Sequence, residues 1–337
     1  MTVSSRLEPT RPASRLGVDR VGVAALVAGT AIIAWSGTLA RLLDVGPLAG
    51  AAWRMGLAVP ALAAWTRFAE RRPLRGPDLA PSAGLLILAG LAFALDVGSF
   101  HLSLTGTKVA NATFIGNVAP ILTVVGGALI FHERPSWRVW LALGLALVGA
   151  WIMAGMVAPV RVGFGDAFAL SAAIAYASYL LLIKQLRLRL DAAAATLWSA
   201  AVSAVVLAAA ASLHGEKMIP SSPFGWMIVA LLGFVTHATG QGLTSAAMGR
   251  APVGLIALVL LAQPPFSALI AWSVLGESMT PQQIAGGAII LVAVLLSRPA
   301  APIRRAALGE APHRRGAFRR AHGPFSLFTC ARPRRLR

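Results

Sequence analysis

Charge is what this sequence has least of. Only 12% of its 337 residues are charged while 57% are hydrophobic, the reverse of the balance expected for a soluble domain of this length. That excludes an ordinary water-soluble fold and places the chain in a bilayer. Cysteine is scarcer still. The single Cys330 lies close to the C-terminus, so no disulfide can form within the chain. Catalytic and energising motifs are missing too: there is no Walker loop, HExxH, CxxC, GxSxG or paired-aspartate prenyl-diphosphate motif. No cofactor or metal is therefore called for, and any uphill movement of a solute must draw on an ion gradient. A membrane-embedded lipid or isoprenoid enzyme would need a nucleophile, a metal cluster or an acid/base pair near one interface, and no such cluster is visible, while a non-transporting membrane receptor or scaffold is an alternative that the sequence leaves open.

What the chain has instead is hydrophobic length. Crossing about 30 Å of hydrocarbon at about 1.5 Å per residue takes about 20 residues, and ten runs approach that length. They are Val21–Leu43, Pro47–Trp65, Ala83–Ser103, Val109–Phe131, Trp137–Met156, Gly165–Ile183, Ala192–Leu213, Pro223–Ala247, Pro252–Leu275 and Pro281–Leu296. The first is too long for a signal peptide's apolar core and reads as a retained helix. A formal charge of +18 would ordinarily suggest nucleic acid. Here the basic residues flank spans and fill the tail after Arg298, which points to membrane lipid as the partner and not to nucleic acid. Counted with the N-terminus inside, the inner segments before the tail hold fourteen lysines and arginines and the outer segments four. The expectation is a multi-pass protein of the cytoplasmic membrane with both termini in the cytoplasm.

The runs are not independent. Thr107 to Ser136 reads TKVANATFIGNVAPILTVVGGALIFHERPS, and Arg250 to Pro281 reads RAPVGLIALVLLAQPPFSALIAWSVLGESMTP. Each is an apolar run with a central proline, Pro120 or Pro264, and a glutamate thirteen residues on, Glu133 or Glu277, and the copies lie 144 residues apart. Such a period in an apolar chain indicates duplication, with each half supplying one wall of a shared cavity. The expected organisation is a cytoplasmic segment 1–20, a first five-helix repeat 21–156, a second 165–297, and a basic tail 298–337 without packed structure. Five spans per half is an odd number, so the second copy enters the membrane inverted. The fold class is thus an all-α membrane protein of ten transmembrane helices in two inverted repeats.

These two stretches, with Trp35-Ser36-Gly37, Pro47 followed by Arg54, SLTGTKVANATF from Ser103 to Phe114, and Gly165-Asp166 opening the second half, resemble the drug/metabolite transporter superfamily, specifically its EamA-type ten-helix members. The likeness spans Val21 to Ser297. It implies a secondary transporter of the exporter kind, moving a small metabolite, amino-acid-like or drug-like solute by alternating access. It also implies that helices 1, 3 and 4 and their partners 6, 8 and 9 line the central site. Glu133 and Glu277 match the family's Gly-Glu turn, although His132 stands in place of the first glycine. Capping the turn and starting the next helix is their expected role.

Few residues inside the spans can carry chemistry. Asp96 is the only carboxylate well inside one, and Arg54 is the only basic residue comparably deep. An intramembrane charge costs about 2.5–3.5 kcal/mol on insertion scales, so both read as functional, and equal depths predict an ion pair lining the outer part of a cavity. Proton coupling would run through Asp96, with His237 a second titratable group at similar depth whose alternative is a packing histidine bonded to Gln241. The uncharged polar groups near mid-membrane are Asn117, Tyr176, Tyr179, Gln241 and Gln263, with Trp35 and Ser36 a little toward the outside. Any one of them can glue helices or hold a solute. The resemblance makes Asn117 and Gln263 the preferred substrate contacts. Pro120 and Pro264 break their helices and free the carbonyls of Gly116 and Leu260. Partners are a small-molecule solute, lipid and protons, with monomer and homodimer equally compatible with the sequence.

Overall fold

The computed structural model describes residues 20–296 apart from 72, 75, 108, 156–162 and 277. The predicted N-terminal segment, the basic tail and Glu277 lie outside the described residues. Within them the chain forms ten helical rods. They are α1 (Arg20–Ile33 and Trp35–Ala40), α2 (Pro47–Ala64, continued by a π-turn Trp65–Ala69), α3 (Leu79–Gly106), α4 (Val109–Gly116 and Ala119–Ile130) and α5 (Trp137–Met153). The second half repeats the set: α6 (Phe164–Leu186), α7 (Ala192–Leu213), α8 (Pro223–Met248), α9 (Val253–Leu260 and Gln263–Leu275) and α10 (Pro281–Leu296). Six of the rods, α1, α3, α6, α7, α8 and α9, are long and apolar enough to cross a bilayer. Their outer faces carry exposed Leu88, Leu91, Leu95, Val205 and Leu269, as lipid contact requires.

Proline places several starts. Pro47, Pro223 and Pro281 begin α2, α8 and α10, where the missing N–H is no loss. Pro120 and Pro264 do the same inside α4 and α9, each being the second residue of a new helix piece. Two irregularities had no sequence signal. α1 is interrupted at Ala34, and the centre of α8, Leu231–Gln241, is wound as a π-helix. Its wider turn is seen where the Thr239 hydroxyl bonds the carbonyl five residues back, on Phe234, at 3.0 Å.

Packing repeats the sequence symmetry. α2 lies on α7, α5 on α10 and α4 on α9, each rod against its own repeat partner. Six further contacts come in exchanged pairs: α3 with α6 matches α8 with α1, α4 with α6 matches α9 with α1, and α2 with α8 matches α7 with α3. A twofold pseudo-symmetry relates the halves, and with five crossings each the second runs opposite to the first. The side on which α1 begins is called the near side below, the other the far side.

Small residues let the rods approach where no hydrophobic effect drives them together in lipid. A Cβ on Gly149 of α5 would meet the Gly286 carbonyl of α10 at 2.7 Å, and one on Gly29 of α1 would meet that of Gly240 of α8 at 2.8 Å. At the far end of α3, Gly106 faces Gly165, and Asp166 fixes the joint. Its carboxylate accepts the Gly163 N–H at 2.8 Å and the Thr107 hydroxyl at 2.7 Å.

Candidate functional site

The halves enclose a cavity of about 360 Å³. α1 contributes Ser36 and Gly37, α3 contributes Phe93, Asp96 and Phe100, and α4 contributes Gly116, Asn117 and Pro120. From the second half come Tyr176 on α6, Gln241 on α8, and Leu260, Gln263, Pro264 and Ser267 on α9, while α2 adds Arg54. The helix breaks explain why polar groups gather here. Each proline-led piece starts beside a preceding residue, Gly116 or Leu260, whose carbonyl has lost its fourth-residue donor, and both residues face the cavity. Gln241 closes the π-segment of α8 and points to the same space as Gln263, and the Tyr176 hydroxyl faces both amides.

The structure thus brings nine of the sequence-selected residues to one cavity: Ser36, Arg54, Asp96, Asn117, Pro120, Tyr176, Gln241, Gln263 and Pro264. Three stand elsewhere. Tyr179 is buried outside the lining. Trp35 lies outside the lining and is 38% exposed, because Ile33, Ser36 and Gly37 share the cavity face at spacings of three and four while Trp35 falls on the other side of the helix. His237 is 1% exposed and also outside the lining. It packs 5.5 Å from the Phe93 ring, and neither nitrogen meets a hydrogen-bond partner. The alternative of a packing histidine is therefore met in part: His237 packs, but without the bond to Gln241.

The predicted ion pair is also corrected. Arg54 and Asp96 face the same cavity, but no salt bridge joins them among the described residues, and Arg54 Nε has no partner. Ser99 and Ser103, on the Asp96 side of α3, turn away from it, Ser99 to Ser171 of α6 at 3.4 Å and Ser103 to the Phe100 carbonyl at 2.6 Å. Toward the far side a smaller space of about 190 Å³ shares Ser36, Arg54 and Val97 with the cavity and is lined beyond them by Ala40, Val45, Pro47 and His101. Toward the near side the cavity stops at Pro120 and Leu260. A larger lipid-facing groove of about 810 Å³ between α3 and α6 is walled chiefly by leucine, isoleucine and alanine and offers nothing comparable for a polar solute.

Glu133 does more than the turn cap expected of it. Its carboxylate reaches the second half, accepting from Lys184 Nζ and from the Val253 N–H, each at 2.8 Å. Lys184, Glu70 and Glu216 escaped sequence reasoning. Glu70 accepts the Ala193 N–H at the start of α7 at 3.1 Å, and Glu216 accepts the Ala49 N–H at the start of α2 at 2.9 Å. The two acceptors occupy related places in the repeat, yet lie 146 rather than 144 residues apart.

Duplicated, oppositely inserted helical bundles around a shared polar cavity define a membrane transporter. The chain belongs to the EamA-like transporter family, whose profile matches residues 20–155 and again 163–298. An uncharacterized transporter of Archaeoglobus fulgidus is 28% identical over 64% of this chain and 77% of its own length. A protein of Streptantibioticus cattleyicolor named "Probable terminal-alkyne amino-acid exporter" is 26% identical over 85% of this chain and 87% of its own. A solved crystal structure superposes with a TM-score of 0.68 over 81% of this chain and 97% of that one. At 20% identity that likeness concerns the fold alone.

Proposed function

We propose that this protein is a secondary transporter that moves an amino-acid-like zwitterion outward across the cytoplasmic membrane by alternating access, with its termini in the cytoplasm. The observation that carries this reading is the placement of Arg54 and Asp96 on one cavity, close enough to feel each other's charge but joined by no direct salt bridge. Each buried charge costs several kcal/mol when it lacks a counter-charge, and a zwitterion supplies both counter-charges at once. Its carboxylate suits the planar fork of Arg54, and its ammonium suits Asp96. The volume falls within the roughly 300–1,000 Å³ range of small-molecule sites. Phe93, Phe100 and Tyr176 offer an aromatic wall to the solute's side chain, while Asn117, Gln241 and Gln263 offer amides. The relative named as an amino-acid exporter supports the same class.

Asp96 is also where a proton gradient would act. Ionised it holds an ammonium, and protonated it releases one. His237 packs against Phe93 outside the lining and makes no solute contact. The test is flux of leucine or phenylalanine into sealed vesicles holding only the purified protein, compared with their methyl esters and decarboxylated amines. The free amino acids alone are expected to move. Arg54→Gln should lower their flux about tenfold to a hundredfold, the weight of one lost charged hydrogen-bonding partner. Asp96→Asn should remain folded and lose pH-gradient-driven flux. Amines moving as fast as amino acids would take Arg54 out of recognition, and normal driven flux in Asp96→Asn would take that aspartate out of coupling.

A further inference from the structure

The near-side end of α4 is fastened across the pseudo-symmetry axis by groups that the helix end does not need for itself. Its own turn is already closed: the N–H groups of Phe131 and Glu133 donate to the Gly127 carbonyl at 3.0 and 3.4 Å. His132 then takes a left-handed backbone, φ 53°, as Gly276 does in the second copy at φ 66°. That is a conformation glycine adopts freely and histidine does not. The turn sends Glu133 across the end of the rod, where Oε1 meets Lys184 Nζ and Oε2 meets the first N–H of α9, on Val253. A carboxylate there also answers the positive end of the helix dipole. Lys184 in turn donates to the Ala251 carbonyl at 3.2 Å and lies 5.5 Å over the Phe131 ring.

Above this tie the seam between α4 and α9 is dry. Val124, Ala257 and Leu258 are buried in one cluster, and a Cβ on Gly127 would come within 2.9 Å of Val253 Cβ. Opening the cavity to the near side requires these two rods to part. Glu133 belongs to the first half and both its partners to the second, so these two bonds cannot survive that separation.

We propose that Glu133, Lys184 and the Val253 N–H form a latch of the transport cycle, made while the cavity faces the far side and broken whenever it opens to the near side. The latch rests on the alternating-access reading above but on no particular solute. Its test uses full-length protein with Cys330→Ser and one reporter cysteine, either Ala257→Cys in the seam or Ala40→Cys in the far-side space. The rate of labelling by a membrane-impermeant maleimide is read in detergent, where both sides are reachable. Glu133→Ala should raise labelling at the seam about tenfold, the change that about 1.4 kcal/mol makes in a two-state population, and lower it at Ala40→Cys. Glu133→Gln keeps an acceptor for Val253 and should shift both rates less, with Lys184→Gln alongside it. Should Glu133→Ala fail to fold, the two glutamine variants carry the test. Monodisperse variants labelled at wild-type rates would overturn the latch. So would a rise at both reporters together, since that marks a loosened fold rather than an exchanged state. Parallel vesicle flux separates the two readings: no flux from the wild-type protein with the reporters moving as expected defeats the solute assignment alone, and normal flux with unmoved reporters defeats the latch alone.

Discussion

Two of the three helix pairs on the pseudo-symmetry axis, α2 with α7 and α4 with α9, are held in opposite ways. α2 and α7 are tied at both membrane ends, Glu216 accepting from the start of α2 and Glu70 from the start of α7, each glutamate belonging to the other half. α4 and α9 are packed at one end. All eight residues of the near-side piece of α9 are buried, but among the thirteen of its far-side piece only Pro265 is. α4 packs on α6 along both of its pieces, and its near-side piece alone is paired with α9. A pair satisfied at both ends has no second arrangement to move toward. A pair satisfied at one end does, because the repeat makes the mirror arrangement chemically equivalent. The contrast separates a frame from a moving part within one fold.

Covalent capture breaks that comparison most severely. Gly127→Cys with Val253→Cys joins two positions whose Cβ atoms would stand 2.9 Å apart, and Gly46→Cys with Glu216→Cys does the same across the frame at 2.6 Å. Both need a small retreat to reach the roughly 3.5–4.5 Å of a disulfide. With Cys330→Ser throughout, oxidation of the α4–α9 pair should stop solute flux and reduction should restore it. Oxidation of the frame pair should leave flux within about twofold, since a linkage between parts that do not move relative to each other costs no state. Flux surviving the first cross-link would mean that α4 and α9 are not the moving pair.

The sequence made the cavity legible for a simple reason: against an apolar background every polar residue at mid-span is conspicuous and expensive. Arg54, Asp96, Asn117, Gln241 and Gln263 stood out by depth alone, and all line one space. Depth says nothing of direction around the helix. Trp35 lies about 200° round α1 from Ile33, on the side away from the cavity, and His237 lies inside the π-segment, where counting at 3.6 residues per turn loses register. The Arg54–Asp96 pair failed differently, since equal depth permits a contact but does not make one across a cavity. Glu133 was visible as the end of a repeat, but its partners Lys184 and Val253 come from the other half, and turn chemistry read along the chain cannot reach them. Glu70 and Glu216 were hidden because their spacing departs by two residues from the repeat.

A gentler break concerns the frame's own bonds. Removing the acceptor in Glu216→Ala or Glu70→Ala leaves an N–H in the first turn of α2 or α7 unanswered, at a cost of about 1 kcal/mol, the usual weight of a lost helix cap. In detergent each variant should melt about 2–4 °C lower while labelling at Ala257→Cys and Ala40→Cys keeps its wild-type ratio. A shifted ratio would show that these ties also choose between states, and the distinction between frame and moving part would be lost.

The smallest effect expected lies at the far-side turn before α2. Burial pushes the Asp44 carboxyl up, but the Ser221 N–H, the hydroxyls of Ser222 and Ser221 and the nearby Lys217 together outweigh it and hold the group below its ordinary 3.8. A carboxyl lowered by folding contributes stability that is fully present above its unfolded value and lost as pH falls through the folded one. Thermal stability should therefore decline below about pH 4 partly through Asp44, and Asp44→Asn should flatten that part of the profile while lowering stability at neutral pH. Asp44 joins the α1–α2 turn to the start of α8 through Ser221 and Ser222, so it belongs with the frame. Its neutralisation should accordingly leave the labelling ratio of the two reporters unchanged. An acid-induced change in that ratio, abolished by Asp44→Asn, would instead place the turn in the moving part.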